Sequence, residues 1–474
     1  MPDRNRPVIV WFRDDLRLAD NPALYAAAAS GGPLVCIYVY DETAGRPLGG
    51  AAKWWLHGAL ASLDKDLAAR GGQLLLLRGA ADKWIEALAR SIGAGGVFWN
   101  RRYDGDGRAA DTRVKAALKA QNIAAESFNG SSLHEPWTVM NQSGAPFRIF
   151  TAYWRTALAK DAPSGPLPAP GKLPFHPMPP DPALPFVSLD TLALEPRTPD
   201  WAGGLRAAWQ RTEEAARSHL ETFLAQGLNG YASARDRPDK AGTSRLSPYL
   251  RFGQISVRQI WHAVRAADAA GKTASADCEK FLAELGWRDF SYSLLFHQPD
   301  LASRNVRSEF DAMPWRVDDS ALHAWQRGMT GYPIVDAGMR ELWATGWMHN
   351  RVRMIVASFL TKHLLLDWRH GEEWFWDTLV DADPASNAQN WQWVAGSGAD
   401  AAPYFRIFNP VLQGEKFDPD GDYVRRWVPE LAHLPPTVIH HPLADPKARY
   451  PKPIVDHGEA RSRALEASKT LKKR

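Results

Sequence analysis

Short apolar runs alternate with longer amphipathic stretches over the first 130 residues. Val8–Phe12, Leu34–Tyr40, Leu74–Leu77 and Val97–Trp99 are apolar on successive positions. That pattern predicts strands buried on both faces, as in a parallel sheet covered by helices. Between them, Pro22–Ser30, Ala51–Arg70, Ala80–Ser91 and Ala109–Gln121 repeat apolar residues at helical spacing. The βαβα order predicts a doubly wound, Rossmann-like α/β domain over residues 1–130. The turn after the first strand, Phe12-Arg13-Asp14-Asp15-Leu16-Arg17, lacks the glycines through which a dinucleotide pyrophosphate approaches the backbone, which disfavours a nicotinamide site there.

Proline is dense from Ala162 to Pro199, and residues 131–200 are expected to be an interdomain linker rather than a packed element. After Trp201 apolar residues recur at three and four spacing with almost no strand-like alternation, so residues 201–474 are predicted to form an all-helical domain, helical to about Val438. The end, from Pro442 to the basic run Lys469-Thr470-Leu471-Lys472-Lys473-Arg474, reads as a solvated tail.

Composition narrows the class. The 474 residues are 45% hydrophobic and 23% charged, as folded chains are, and exclude wholesale disorder. A net charge of +4 is compatible with a polyanionic partner without requiring one. Only Cys36 and Cys278 are present, which rules out a disulfide framework and an all-cysteine metal cluster and suits a reducing cytoplasm. No apolar stretch reaches the roughly 18 residues of a membrane span, so a soluble, unprocessed chain is expected. Tryptophan is the outlier at 21 copies, a residue used both to fill cores and to line sites for flat ligands.

Four segments carry candidate chemistry. Thr243-Ser244-Arg245-Leu246-Ser247 places hydroxyls and a guanidinium before an apolar helix, which suits either a phosphate cradle or an ordinary helix cap. Glu284 and Trp287 share a helix face. A base can stack on the ring while the carboxylate accepts from its imide N–H, or the pair is a solvated acid beside a core ring. Asn350, Arg353 and Met354 also fall on one side of a helix. Asp381-Ala382-Asp383 precedes the amide-rich Ser386-Asn387-Ala388-Gln389-Asn390, which suits a polar ligand such as a ribityl chain. No histidine or further carboxylate supports a metal there.

Together these segments resemble the photolyase/cryptochrome family over nearly the whole chain. Trp11-Phe12-Arg13-Asp14-Asp15-Leu16-Arg17 with Asp20-Asn21-Pro22-Ala23-Leu24 is similar to the family's N-terminal signature. Thr243–Gly253, Glu284–Phe290, Trp347–Met354 and Asp381–Trp393 are similar to its flavin-domain motifs, in the family's order. The resemblance implies an α/β antenna domain and an all-α FAD-binding domain. Tyr231, Thr243, Ser244, Arg245, Leu246 and Ser247 would contact FAD, mainly around its phosphates. Arg353 would pair with Asp381 beside the isoalloxazine, Asp383 would hold the ribityl or ring edge, and Asn387 would face flavin N5; Glu284, Arg288 and Asn350 would also border the cofactor.

Glu284, Trp287, Asn350, Met354 and Trp393 would receive a cyclobutane pyrimidine dimer flipped out of ultraviolet-damaged DNA, with Arg351 and Lys416 on the phosphate-tracking surface. Excited, reduced flavin would lend the dimer an electron, its ring bonds would cleave and the electron would return. Trp391, Trp368 and Trp315 match the family's electron relay, Trp391 nearest flavin and Trp315 the exposed terminus.

Three features favour cyclobutane-dimer repair. Asn350 and Met354 stand where six-four photolyases carry two histidines, Asn387 stands where plant cryptochromes tend to carry aspartate, and no long signalling tail follows. The alternative is a cryptochrome-type blue-light receptor. A second, antenna chromophore is expected; Asp106-Gly107 departs from the family's folate-binding pattern, so methenyltetrahydrofolate and a deazaflavin both remain open, as does an empty site. Damaged DNA is the expected partner of a cytoplasmic monomer that associates with the nucleoid when DNA-bound and has no obligate protein partner.

Overall fold

The computed structural model describes residues 6–178, 183–404, 406–446 and 448–471. Five strands, β1 (Val8–Phe12), β2 (Leu34–Tyr40), β3 (Leu74–Arg78), β4 (Gly96–Asn100) and β5 (Ala124–Phe128), form one sheet in the order β3-β2-β1-β4-β5. Every neighbouring pair is parallel, with Val8 opposite Leu34 on one side and Gly96 on the other. Parallel neighbours need crossovers. Helices α1 (Pro22–Ser30), α2 (Gly50–Ala68), α3 (Ala81–Ser91) and α4 (Gly105–Ala120) supply them. The doubly wound expectation holds.

Alternate residues of β1 serve two cores, because successive side chains on a strand point to opposite faces. Ile9 and Trp11 pack with Ile85 and Leu88 of α3 and Val114 and Leu118 of α4. Val8, Val10 and Phe12 pack with Leu24, Trp54 and Trp55, and that core continues without a break into Tyr249, Phe252 and Ile260 of the helical region. The sheet domain and the helical layer therefore share one apolar interior.

Three sequence expectations change. Strand β5 carries no apolar run and lies at the sheet edge, its residues mostly half-buried. Helix α4 starts four residues earlier than its apolar pattern indicates, because the Asp104 side chain accepts from Gly107 N and caps it. The stretch expected to be an unpacked linker is packed in several places. Helix α5 (Phe150–Leu158) lies within it, Phe175 bridges to Leu34, Val187 bridges to Leu76, and Leu173, Leu184, Leu192 and Leu194 are buried. Pro179, Pro180, Asp181 and Pro182 lie outside the described residues.

The remainder is helical among the described residues. It comprises α6 (Gly203–Ala208), α7 (Glu213–Gln226), α8 (Tyr231–Ala234), α9 (Ser247–Arg251), α10 (Val257–Ala269), α11 (Ser275–His297), α12 (Asp319–Gln326) and α13 (Pro333–Thr345). It continues through α14 (Asn350–Ser358), α15 (Trp368–Thr378), α16 (Ser386–Ala395), α17 (Pro410–Phe417), α18 (Asp422–Trp427), α19 (Pro436–Ile439) and α20 (His457–Leu471). The expected solvated tail is in fact α20, which buries Ala460, Ala464 and Ala467 against the chain; Lys472, Lys473 and Arg474 lie outside the described residues.

Candidate active site

Helices α8, α11, α14, α15 and α16, with the loop before α9, enclose a cavity of about 520 Å³. The helical periodicity explains who faces it: Glu284, Trp287, Arg288 and Ser291 from α11, Asn350, Arg353, Met354 and Ala357 from α14, and Asn387, Asn390, Trp391 and Val394 from α16. Tyr231, Thr243, Ser244, Arg245, Leu246, Ser247, Arg351, Asp381, Asp383 and Trp393 complete the set. Of the site residues expected from sequence, only Trp368, Trp315 and Lys416 lie outside the lining.

One wall is ionic. Arg353 Nη2 donates to both oxygens of Asp381, at 2.8 and 3.1 Å, Ser247 Oγ donates to Asp381 Oδ2 at 2.6 Å, and Arg353 Nε donates to the Met348 carbonyl at 2.7 Å. Asp383 is committed more locally than the resemblance implies. Its Oδ1 accepts from the backbone N–H groups of Ala385 and Ser386 at the start of α16, and its Oδ2 accepts from Tyr292 OH at 2.7 Å, so its first task is to anchor that helix. Between the two acids, the Ala382 carbonyl accepts from Arg251 Nε at 2.8 Å, and the same guanidinium pairs with Asp14 of the sheet domain at 2.9 Å.

Asn387 is oriented by a chain that runs back to the sheet domain. Its amide nitrogen donates to Glu372 Oε1 at 2.8 Å and to the Glu372 carbonyl at 3.0 Å, leaving its Oδ1 as an acceptor. Both Glu372 oxygens accept from Arg46 Nη1 at 2.8 Å. Burial raises the pKa of Glu372, and the Arg46 and Asn387 hydrogen bonds oppose that rise. Sequence reading missed Arg46, Glu372, Arg235 and Arg251, whose roles arise from contacts up to 326 residues apart and leave no local pattern.

The lining suits a dinucleotide flavin. The volume lies within the roughly 300–1,000 Å³ of small-molecule sites. Arg245 has a left-handed backbone (φ 51°), stacks 4.3 Å from the Trp209 centroid, and keeps a buried Nε with no protein partner, beside the hydroxyl-bearing Thr243 and Ser244. An anionic phosphate would satisfy that unpaired donor. The Arg353–Asp381 pair and the Asn387 acceptor line the same cavity and could offer polar contacts to a flat ring.

At the other end, Glu284 forms an ion pair with Arg235, so its carboxylate is paired rather than merely solvated. Trp287 is half-buried and stacks on Phe150, with centroids 3.7 Å apart and planes 11° from parallel. Asn350 Nδ2 lies 4.0 Å from Met354 Sδ. Arg351, expected to be a phosphate contact, is bound to Asp236 at 2.8 Å and packs over Phe417, so it is not a free cation. Lys416 is exposed on α17 beside the same ring.

Of the three tryptophans expected to form a relay, two are buried and the third is half-buried. Trp391 borders the cavity, is 3% exposed and packs edge-on to Phe375. Trp368 is fully buried with its Nε1 donating to Asn305 Oδ1, and Gly371, on the same helix, abuts the Trp391 ring. Trp315 is half-buried.

His349 caps α14 through Nδ1, which accepts from Arg351 N at 3.2 Å, and burial lowers its pKa to about 4. Asp236 opposes that shift, while Arg351, Arg353 and Arg235 reinforce it. A protonated ring cannot accept. From pH 6.5 down to 4 the unfolded chain takes up a proton that the folded chain refuses, so stability falls with pH in that window, by about 3 kcal/mol at most. Thermal unfolding across this range, with His349→Asn as the non-titrating cap, should show a shallower pH dependence in the variant, since buried His363, its pKa lowered to about 3, keeps a slope of its own.

A parallel α/β sheet joined to helices that line a cavity suited to a dinucleotide flavin is the arrangement of a flavin-binding protein. The family described as "FAD binding domain of DNA photolyase" matches residues 281–470, and that described as "DNA photolyase" matches residues 8–172. The chain belongs to the DNA photolyase/cryptochrome family. It is 51% identical to the deoxyribodipyrimidine photo-lyase of Agrobacterium fabrum, over 99% of each chain. It is 40% identical to cryptochrome-1 of Arabidopsis thaliana, over 97% of this chain and 70% of that one. A solved bacterial class III photolyase from Agrobacterium tumefaciens superposes with a TM-score of 0.95 at 51% identity, covering 99% of this chain and 98% of that one.

Proposed function

We propose that this chain is a light-dependent deoxyribodipyrimidine photo-lyase of the class III type that repairs cyclobutane pyrimidine dimers in DNA. The observation that carries the reading is the continuity of one cavity. The polar groups suited to FAD (Arg245, Arg353, Asp381, Asn387) and those suited to a flipped dimer (Glu284, Trp287, Asn350, Met354, Trp393) line the same space. FAD, when bound, supplies light absorption and the transferable electron. The protein supplies placement. Arg245 with Thr243 and Ser244 holds the phosphates, Asp381 keeps Arg353 directed at the ring system, and Glu372 turns Asn387 so that Oδ1 accepts at the flavin edge. Trp287 offers a ring face to the extruded bases, and Glu284, held by Arg235, accepts from a base imide. Trp391, Trp368 and Trp315 carry electrons inward.

Residues 1–130 form the antenna domain in this reading, 131–200 the connecting segment and 201–474 the catalytic domain. The antenna chromophore is methenyltetrahydrofolate or a deazaflavin. The crevice between the strand ends and the helices, lined by Asp14, Arg102, Asp104, Arg251 and Tyr292, is about 20 Å³. That is room for a water, so a chromophore seated there would need the lining side chains to move. The protein works as a cytoplasmic monomer on damaged DNA. Among the described residues no helix is long and apolar enough to cross a membrane.

The test is repair of an oligonucleotide carrying one thymine dimer by protein loaded with FAD and reductant, with and without blue light. Dimer loss only in the light supports the reading. Intact dimers together with flavin photoreduction favour the receptor alternative, a reading supported by the similarity to cryptochrome-1. DNA affinity should fall with added salt with a log–log slope of about 0.9 per phosphate neutralised, and Lys416→Ala should flatten it by about one such unit.

A further inference from the structure

Trp287 lines the cavity, and one face of its ring is covered from within the protein. Phe150, the first residue of α5, lies against that face at 3.7 Å and nearly parallel. Phe290 meets the same indole edge-on at 5.8 Å. Phe150 is itself held. It is 8% exposed, its backbone N–H donates to Asp400 Oδ2 at 3.1 Å, and Trp154 lies parallel to it at 6.3 Å. Trp154 also sits directly over Gly286, where any side chain would strike its ring, so α5 rests on α11 at the residue next to Trp287. Parallel planes thus run from Trp154 through Phe150 to Trp287 and end at the cavity.

We propose that Phe150 is a positioning residue for damage recognition: it covers the inner face of Trp287 and sets the plane on which a flipped pyrimidine dimer stacks. The inference rests on the reading of Trp287 as the lesion-stacking ring. Stacking is strong only when two flat groups approach in parallel over most of their area, and a half-buried indole without a backing ring is free to tilt. Phe150 fills the space into which Trp287 would otherwise rotate. Damage discrimination therefore depends on a residue from the segment between the two domains, one that touches neither DNA nor cofactor.

The experiment compares Phe150→Leu, which keeps apolar bulk but removes the flat face, Phe150→Tyr, which restores it, and Trp287→Ala, in full-length FAD-loaded protein. The readouts are the dissociation constants for a thymine-dimer oligonucleotide and for its undamaged counterpart, with bound-FAD absorbance reporting the fold. The expected result is a loss of lesion affinity of about five- to tenfold in Phe150→Leu. Undamaged-DNA binding and FAD content stay at the wild-type level, the loss appears in KM rather than in the light-saturated rate, and Phe150→Tyr recovers it. If Trp287→Ala lowers lesion affinity while Phe150→Leu does not, the positioning role is wrong and the lesion site stands. If neither lowers it, both the role and the assignment of Trp287 are overturned. A loss in Phe150→Leu that extends equally to undamaged DNA also overturns the proposal.

Discussion

Asp381→Ala empties the cavity of FAD and lowers the stability of the fold by about 3 kcal/mol, an expected outcome that follows from what the carboxylate holds. Asp381 is 3% exposed at its side chain and is the acceptor for both Arg353 and Ser247. Truncating one partner of a buried pair leaves the other charge uncompensated, which costs about 3–5 kcal/mol. Arg353 is 24% exposed, so water recovers part of that and the lower end applies. The loss of FAD adds to it, because a ligand that binds only the folded state stabilises by mass action. The flavin-to-protein absorbance ratio and thermal unfolding with and without added FAD measure the two parts. Asp381→Asn, which keeps the shape and one acceptor, should fall between.

Trp391→Phe is expected to abolish light-driven reduction of bound FAD by an external thiol while leaving FAD content and repair by chemically reduced enzyme in place. Trp391 is the one member of the tryptophan series that borders the cavity, and phenylalanine fills most of its volume without the readily oxidised indole. The companion variant Gly371→Ala tests the same contact sterically. A methyl there meets the Trp391 ring, and overpacking of this kind costs about 1–3 kcal/mol. Photoreduction followed by absorbance, against a dark control, decides the first variant. Retained photoreduction in Trp391→Phe would remove that residue from the relay.

What the sequence made legible depended on local periodicity. Glu284 with Trp287, and Asn350 with Arg353 and Met354, are spaced so that any helix puts them together, and both groups line the cavity. Strands β1 to β4 announce themselves as apolar runs, whereas β5, Ala124-Ala125-Glu126-Ser127-Phe128, does not, because an edge strand needs only partial burial. Helix α20 was hidden because its contact stripe is alanine at 460, 464 and 467 among charged neighbours, a pattern shared with solvated helices. Phe150 lies within an expected linker, and nothing near it in the chain signals the indole it backs. The partners Arg46 and Glu372, like Arg235 and Glu284, pair only after folding, so their residue types alone carry no trace of the match.

The guanidinium that clasps both Asp14 and the Ala382 carbonyl makes the two halves of the chain poor candidates for modular exchange. With the N-terminal unit removed, Arg251, now 6% exposed, would lose its counter-ion beside the turn that carries both flavin-side acids. A chimera built with a foreign N-terminal unit would have to bring its own acid to position 14, and a second one-sided graft would leave Glu372 without Arg46. The two halves of this protein are thereby tied at several points, Arg258–Asp20 beside Arg251–Asp14 and Arg46–Glu372, each a charge that one half owns and the other half needs.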